Sequence, residues 1–191
     1  MKAFSITNPF ESGFIELPDV VPSNQDAILK LVRNGICGSD LNSYRGTNAY
    51  LTYPRIPGHE IAAEIISIPK NDRGLSPGML VTCNPYFNCG HCYSCRRGFF
   101  NCCQSNQTMG VQRDGGMMDY IAMPVERIVN SNGLPPDLTA LVEPFSIAFH
   151  GVQKANIQKG ENVLVIGTGT IGVFAALSAK GTSIIENIDQ I

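Results

Sequence analysis

The sequence predicts a mixed architecture, in which a β-rich first part leads into the opening of an α/β unit. Three observations carry that expectation. Charged residues are only 16% of the 191 positions, while 19 glycines and 12 prolines punctuate a chain that is 43% hydrophobic. That balance suits a turn-rich globule better than a helical bundle or a disordered segment. Short β-type runs recur between turn signals until about Pro136, and the texture then becomes helical and α/β-like.

The expected strands are residues 2–6, 13–17, 27–34, 60–68, 79–82, 119–123 and 127–129. Asn71-Asp72-Arg73-Gly74 and Ser76-Pro77-Gly78 supply turn residues between them. Many short strands with such punctuation predict a barrel or an irregular sandwich. A helix is then expected from Asp137 towards Ala155, interrupted at Pro144. The apolar run at 162–166 has the pattern of a strand buried on both faces of a parallel sheet. Residues 171–180 are expected as a helix, with 183–185 opening a second strand. The chain therefore divides into a metal-binding domain over 1–155 and the start of a nucleotide-binding domain over 156–191.

A net charge of −2 provides no basic field to recruit nucleic acid or anionic lipid. No apolar run follows Lys2, so no secretory leader is expected, and the longest apolar stretch holds too many glycines and threonines to span a bilayer. The expectation is a cytoplasmic protein without nucleic-acid or membrane partners. Its seven cysteines, an odd number, read as metal thiolates rather than disulfides.

Cys89-x-x-Cys92-x-x-Cys95 followed by Cys102-Cys103 is the most specific signal. Four thiolates at such spacings close tetrahedrally around Zn²⁺, and a full set of protein ligands makes the site structural. Either Cys102 or Cys103 completes the set, and His91 is a bystander. The competing reading is buried free thiols. Elsewhere Cys37, His59, Glu60 and Glu143 offer one thiolate, one imidazole and two carboxylates. Singly, each is an ordinary core or turn residue. Together they suit a zinc that keeps one position for water or substrate.

Gly-Ile-Cys-Gly-Ser-Asp at 35–40, Gly-His-Glu at 58–60 and the cysteine lobe at 89–103 appear in order along the chain. Asp-Gly-Gly at 114–116, Val-Glu-Pro at 142–144 and Gly-Thr-Gly-Thr-Ile-Gly at 167–172 continue it. On these motifs the sequence resembles the zinc-containing medium-chain alcohol dehydrogenases, in particular the sorbitol/polyol, threonine and sugar-acid dehydrogenase branch. The resemblance implies a GroES-like irregular β-barrel with a structural-zinc lobe, followed by the start of a Rossmann fold. It implies Cys103 as fourth lobe ligand and Cys37, His59 and Glu60 on a catalytic zinc. Glu143 takes the place of a cysteine ligand in the alcohol-dehydrogenase branch, so the third catalytic ligand is Glu60 or Glu143.

By the same resemblance Ser39 relays the hydroxyl proton and Asp40 orients His59 through the ring nitrogen not on zinc. Asn42 stands where the alcohol-dehydrogenase branch has a relay histidine, which leaves Glu143 and water for that route. Tyr44 and Tyr50 are candidate pocket residues. Ala63 replaces a usual glycine, which a strand with negative φ tolerates.

Gly167-x-Gly169-x-x-Gly172, with Ile171 inside the turn, follows an expected strand and opens an expected helix. In that context the glycines permit the tight turn, the approach of pyrophosphate and close helix packing. An acidic residue roughly 20 positions on would bind the ribose hydroxyls of NAD. Asp189 is better placed than Glu186, and NADP stays open. A complete coenzyme domain has about six strands, so the 191 residues are expected to be a fragment or a truncated product, inactive alone.

The expected whole enzyme uses two zincs and NAD to take hydride from a secondary alcohol of a polyol, sugar acid or similar small metabolite. The resemblance implies a homodimer or homotetramer. A threonine-type amino alcohol, or a non-catalytic zinc-stabilised β module, are the competing readings.

Overall fold

A computed structural model describes residues 1–182. The expected residues 183–185 strand, Glu186 and Asp189 lie outside that range. The chain splits into two compact units, Met1–Ala140 and the segment from Leu141 onward.

In the first unit β1 (Lys2–Asn8) and β2 (Glu11–Glu16) form an antiparallel hairpin. The main sheet contains β3 (Asp26–Asn34), β4 (Ile61–Ser67), β5 (Leu80–Cys83), β8 (Tyr120–Pro124) and β9 (Ile128–Asn130), ordered β8-β3-β4-β5-β9. Two two-residue strands, β6 (Tyr86–Phe87) and β7 (Gln107–Thr108), pair apart from it. All seven expected strands are present, with ends moved by no more than two residues. The expected barrel is not closed: β8 and β9 end the sheet without pairing with each other.

Period-two burial explains the sheet. Ala27 and Leu29 of β3, Ile121 and Met123 of β8, and Ile61, Ala63 and Ile65 of β4 point into one core with Val81 and Ile128. Trimming Leu29 or Ile65, both fully buried, to alanine would cost about 2–5 kcal/mol. Ala63 sits fully buried in β4 and has no positive φ, so its methyl is accommodated. The loop at 71–75 closes as expected, with Asn71 Oδ1 accepting the Arg73 and Leu75 N–H groups.

The first unit also holds three helices. α1 (Gly38–Arg45) ends on Gly46 at φ +77°, a left-handed cap that favours glycine. α2 (Tyr93–Arg96) lies in the cysteine lobe, and α3 (Pro136–Ala140) closes the unit. The pattern at 38–45 is too polar and short to have announced α1.

The second unit contains α4 (Val142–Ala155) and α5 (Thr170–Thr182). The helix expected from Asp137 to Ala155 breaks at Leu141 instead of Pro144. Pro144 falls in the first turn of α4, where its missing N–H has no intrahelical partner to lose. Phe145 meets Phe174 edge-on at 5.5 Å, packing α4 on α5. The run at 162–166 is not a strand among the described residues, and Leu164 and Ile166 are exposed. A strand exists by its ladder, and here no described neighbour supplies one. No described helix is long and apolar enough to cross a membrane.

Candidate functional site

Two clusters of metal-type donors form in the first unit. The Sγ atoms of Cys89, Cys92, Cys95 and Cys103 lie within 4.8 Å of one another. Cys102, the alternative fourth thiol, is exposed and outside the group. The surrounding backbone is aimed at sulfur: Cys89 N–H donates to Cys103 Sγ at 3.2 Å, Cys92 N–H to Cys89 Sγ at 3.4 Å and Ser105 N–H to Cys103 Sγ at 3.4 Å. Such donors favour thiolates. The Cys95 N–H pulls the Cys92 thiol down to about 6, whereas burial drives Cys95 up to about 11. Four crowded sulfurs of this kind fit one soft-accepting divalent ion and leave it no open position. His91 bonds through Nδ1 to the Cys89 carbonyl and stays exposed.

The second cluster joins Cys37, His59 and Glu60, whose donor atoms also lie within 4.8 Å of one another. β3 and β4 bring them together. Asn34 pairs with Ile61 at the end of the ladder, so the residues just after β3 face those just before β4. The Gly35 N–H donates to the Glu60 carbonyl at 2.7 Å and extends this pairing. Glycine is needed at 35, because a Cβ there would meet Glu60 Oε2 at 2.2 Å. The carboxylate thus lies in a cradle that only a hydrogen leaves open.

His59 and Glu60 are buried and Cys37 is half-buried. Hydrogen bonding to His59 holds the Cys37 thiol below its ordinary value, with burial opposing and Ser39 assisting. One thiolate, one imidazole and one carboxylate fit zinc with a position to spare. Ser39, in the first turn of α1, is therefore beside the cluster through Cys37.

The turn that carries His59 is built by close backbone approach. Gly58 has φ +97°, and its carbonyl accepts the Gly116 N–H at 2.8 Å, while Ile56 O accepts from Gly115 N–H at 2.7 Å. A Cβ on Gly115 would meet Gly58 O at 2.2 Å. The Asp-Gly-Gly segment at 114–116 is thus a bed for the histidine turn, a role its sequence did not disclose. Asp114 Oδ1 adds bonds from Ile56 N–H at 3.2 Å and Arg55 Nη1 at 3.1 Å.

Asp40 has a backbone role that the sequence did not announce. Its buried carboxylate accepts the Cys37 N–H on Oδ2 at 2.9 Å and the Gly58 N–H on Oδ1 at 3.2 Å. It ties the two donor-bearing loops together through their backbone. Tyr44 is engaged elsewhere, its hydroxyl donating to the Phe10 carbonyl at 3.1 Å, and Tyr50 is 76% exposed. Asn42, the relay-position residue, is exposed on α1.

A model of the alcohol dehydrogenase GroES-like domain matches residues 23–135, over half of the chain. The chain belongs to that family. It is 41% identical to L-galactonate-5-dehydrogenase of Escherichia coli over 165 residues, covering 86% of this chain and 48% of that protein. It is 32% identical to L-threonine 3-dehydrogenase of Shewanella frigidimarina, covering 94% of this chain and 54% of that one. The E. coli alcohol dehydrogenase rspB, solved with NADH, superposes with a TM-score of 0.88 at 32% identity, covering 98% of this chain and 55% of that one. The chain spans about half the length of the relatives it matches. A zinc-binding dehydrogenase of Sinorhizobium meliloti, 28% identical with a TM-score of 0.87, covering 94% of this chain and 52% of that one, was solved with NADP.

The glycine-rich turn expected to bind coenzyme has a geometry of its own. It lies in the second unit, where Gly167 has φ +102° and α5 begins at Thr170. A Cβ on Gly172 would meet Gly167 O at 2.0 Å, so the helix approaches the turn as closely as a glycine allows. Gly169 has open space where its Cβ would be, and Ile171 is 46% exposed. Glu143 is buried in the first turn of α4, also in the second unit. The carboxylate grouped with Cys37 and His59 is that of Glu60.

Proposed function

We propose that this chain is the zinc-binding part, with the opening of the coenzyme domain, of an NAD-linked dehydrogenase. Its substrate is a secondary alcohol on a sugar acid, polyol or similar small metabolite. The observation that carries this reading is the convergence of Cys37, His59 and Glu60 from two distant segments into one donor set with a position to spare. Those three residues would hold the catalytic zinc, and Cys89, Cys92, Cys95 and Cys103 the structural one. When bound at the open site, zinc lowers the pKa of a coordinated hydroxyl.

The residues of the chain do the remaining work. Ser39 stands beside Cys37 to accept the hydroxyl proton, and Glu143 is the acidic group proposed for the outward route in place of the absent histidine at 42. Gly167, Gly169, Ile171 and Gly172 would cradle the pyrophosphate, with Asp189 proposed for the ribose hydroxyls. The domain limits of 1–155 and 156–191, and a cytoplasmic homodimer or homotetramer without nucleic-acid or membrane partner, belong to the same reading. Likeness to L-galactonate-5-dehydrogenase favours a sugar acid. Likeness to L-threonine 3-dehydrogenase keeps an amino alcohol as the second reading.

The test is made on the full-length protein of the reading frame. Metal analysis should give two zincs per chain, and NAD reduction should appear with members of a sugar-acid, polyol and threonine panel. Two zincs with no NAD or NADP reduction on any of them would overturn the assignment. One zinc, retained by the thiolates alone, would favour a structural module.

A further inference from the structure

Apart from both metal-type clusters, the first unit contains a cavity of about 160 Å³. Its walls include Phe87, Met109, Met118, Ile121 and Met123, and Arg113 stands among them. The cavity is smaller than the roughly 300–1,000 Å³ of drug-sized sites, so its occupant is short. Most of the wall is apolar and polarizable, with methionines that adapt to an aliphatic chain, and Asp114 lines it beside Arg113.

The charge in the cavity has unused donors. Arg113 is partly buried, its guanidinium lies 3.6 Å from the Phe87 ring centroid, and that guanidinium makes no hydrogen bond or ion pair among the described residues. A second guanidinium, that of Arg127, lies 4.3 Å from the same ring. Arg127 donates to the Tyr86 carbonyl and, at 3.3 Å, to Asn88 Oδ1. The nearby carboxylates are engaged: Asp114 with Arg55 and Ile56 N–H, and Asp26 with Ser23 N–H at 3.0 Å. Burial first, and then Arg127, pull the Arg113 guanidinium below its ordinary value, though Asp26 and Asp114 work against them. A half-buried cation with unused donors, stacked on an aromatic ring beside a second cation, is a receptor for an anion.

We propose that this cavity binds a short aliphatic monocarboxylate, its carboxylate on Arg113 and its chain among Met109, Met118 and Met123. The loop bearing Arg113 is also the loop against which the histidine turn rests. A Cβ on Gly110 would meet Gly58 N at 2.8 Å, and Gly115 touches both the cavity and Gly58. An acid held there is one packing layer from the donor-bearing turn.

The test titrates hexanoate, butyrate and hexanol into the full-length protein carrying isotope-labelled methionine methyls. Hexanoate should shift the methyl resonances of Met109, Met118 and Met123 saturably and leave Met1 unmoved. Hexanol should bind at least about ten-fold more weakly, because it forgoes a charge-assisted bond. Arg113→Leu should erase the preference for acid over alcohol, and Lys70→Gln, at an exposed position, should keep it. Absence of saturation, equal binding of hexanol, or an unchanged preference in Arg113→Leu would overturn the proposal. If Arg113→Leu fails to fold, the comparison of hexanoate with hexanol on the wild-type protein decides alone.

Discussion

The two metal-type clusters of the first unit are built in opposite ways. The thiolate lobe draws all four donors from the 15 residues between 89 and 103, so its geometry is fixed by local turns and by backbone N–H groups aimed at sulfur. The mixed cluster takes Cys37 from after β3 and His59 and Glu60 from before β4. Only the pairing of those strands and close glycine packing bring the donors together. A lobe whose shape depends on its ion should unfold without it. A site held by a sheet should keep its shape when empty.

The largest effect expected is therefore on the lobe. Cys95→Ser removes the buried thiol of the four. It should release one zinc per chain and lower the melting temperature, since structural zinc binding is worth on the order of 10 kcal/mol of folding free energy. Metal analysis with thermal denaturation checks this. Should Cys95→Ser keep both zincs and the wild-type melting temperature, the contrast between the two sites is broken.

His59→Ala should do the reverse. The open site loses its ion and catalysis falls by about 10³-fold or more, as loss of several kcal/mol of Lewis-acid stabilisation implies. The lobe should retain its zinc. A chelator should likewise empty the open site before the closed one, with activity falling ahead of any unfolding signal. Simultaneous loss of both metals and of structure would show one cooperative site-and-fold unit instead of two.

Gly35→Ala sharpens the comparison, since it leaves every donor in place. The new methyl would lie 2.2 Å from Glu60 Oε2 and must displace the carboxylate. Metal affinity of the mixed site should drop about 10–100-fold, the range typical of disturbed supporting residues, with the lobe untouched. Competition against a colorimetric zinc chelator reads that ratio directly. An affinity equal to wild type would mean that Glu60 is not a ligand and would return the role to Glu143.

This contrast also explains what the sequence made legible. The strands were readable because alternation and turn residues are local, and so was the cysteine lobe, whose spacing is its geometry. The family motif brought Cys37, His59 and Glu60 forward, but nothing local says that residue 35 must lack a side chain to receive Glu60. Gly115 and Gly116 were visible as a motif, yet their work is against Gly58, over fifty residues away. The run at 162–166 failed as a strand for the same reason. Its apolar pattern anticipates neighbours on both sides, and the described chain provides none.

The smallest expected effect belongs to Asp40, which has a backbone role beside the imidazole role expected of it. Its two oxygens accept one N–H from each donor-bearing loop, Cys37 at 2.9 Å and Gly58 at 3.2 Å. In Asp40→Asn only one oxygen remains, and whichever way the amide turns, one N–H faces an NH₂ group. The loss is one charge-assisted bond in a buried place, about 1.5–3 kcal/mol, shared between fold stability and the spacing of Cys37 from His59. The expected outcome is a modestly lower melting temperature and roughly ten-fold weaker metal at the mixed site. A cobalt-substituted sample should show a shifted visible spectrum there, while the tetrathiolate bands of the lobe stay in place. If the imidazole were the true partner of Asp40, the variant would change the cobalt spectrum without loosening the two loops. Amide hydrogen exchange at Cys37 and Gly58 separates these cases: the backbone role requires both amides to exchange faster, and the ring role leaves them protected.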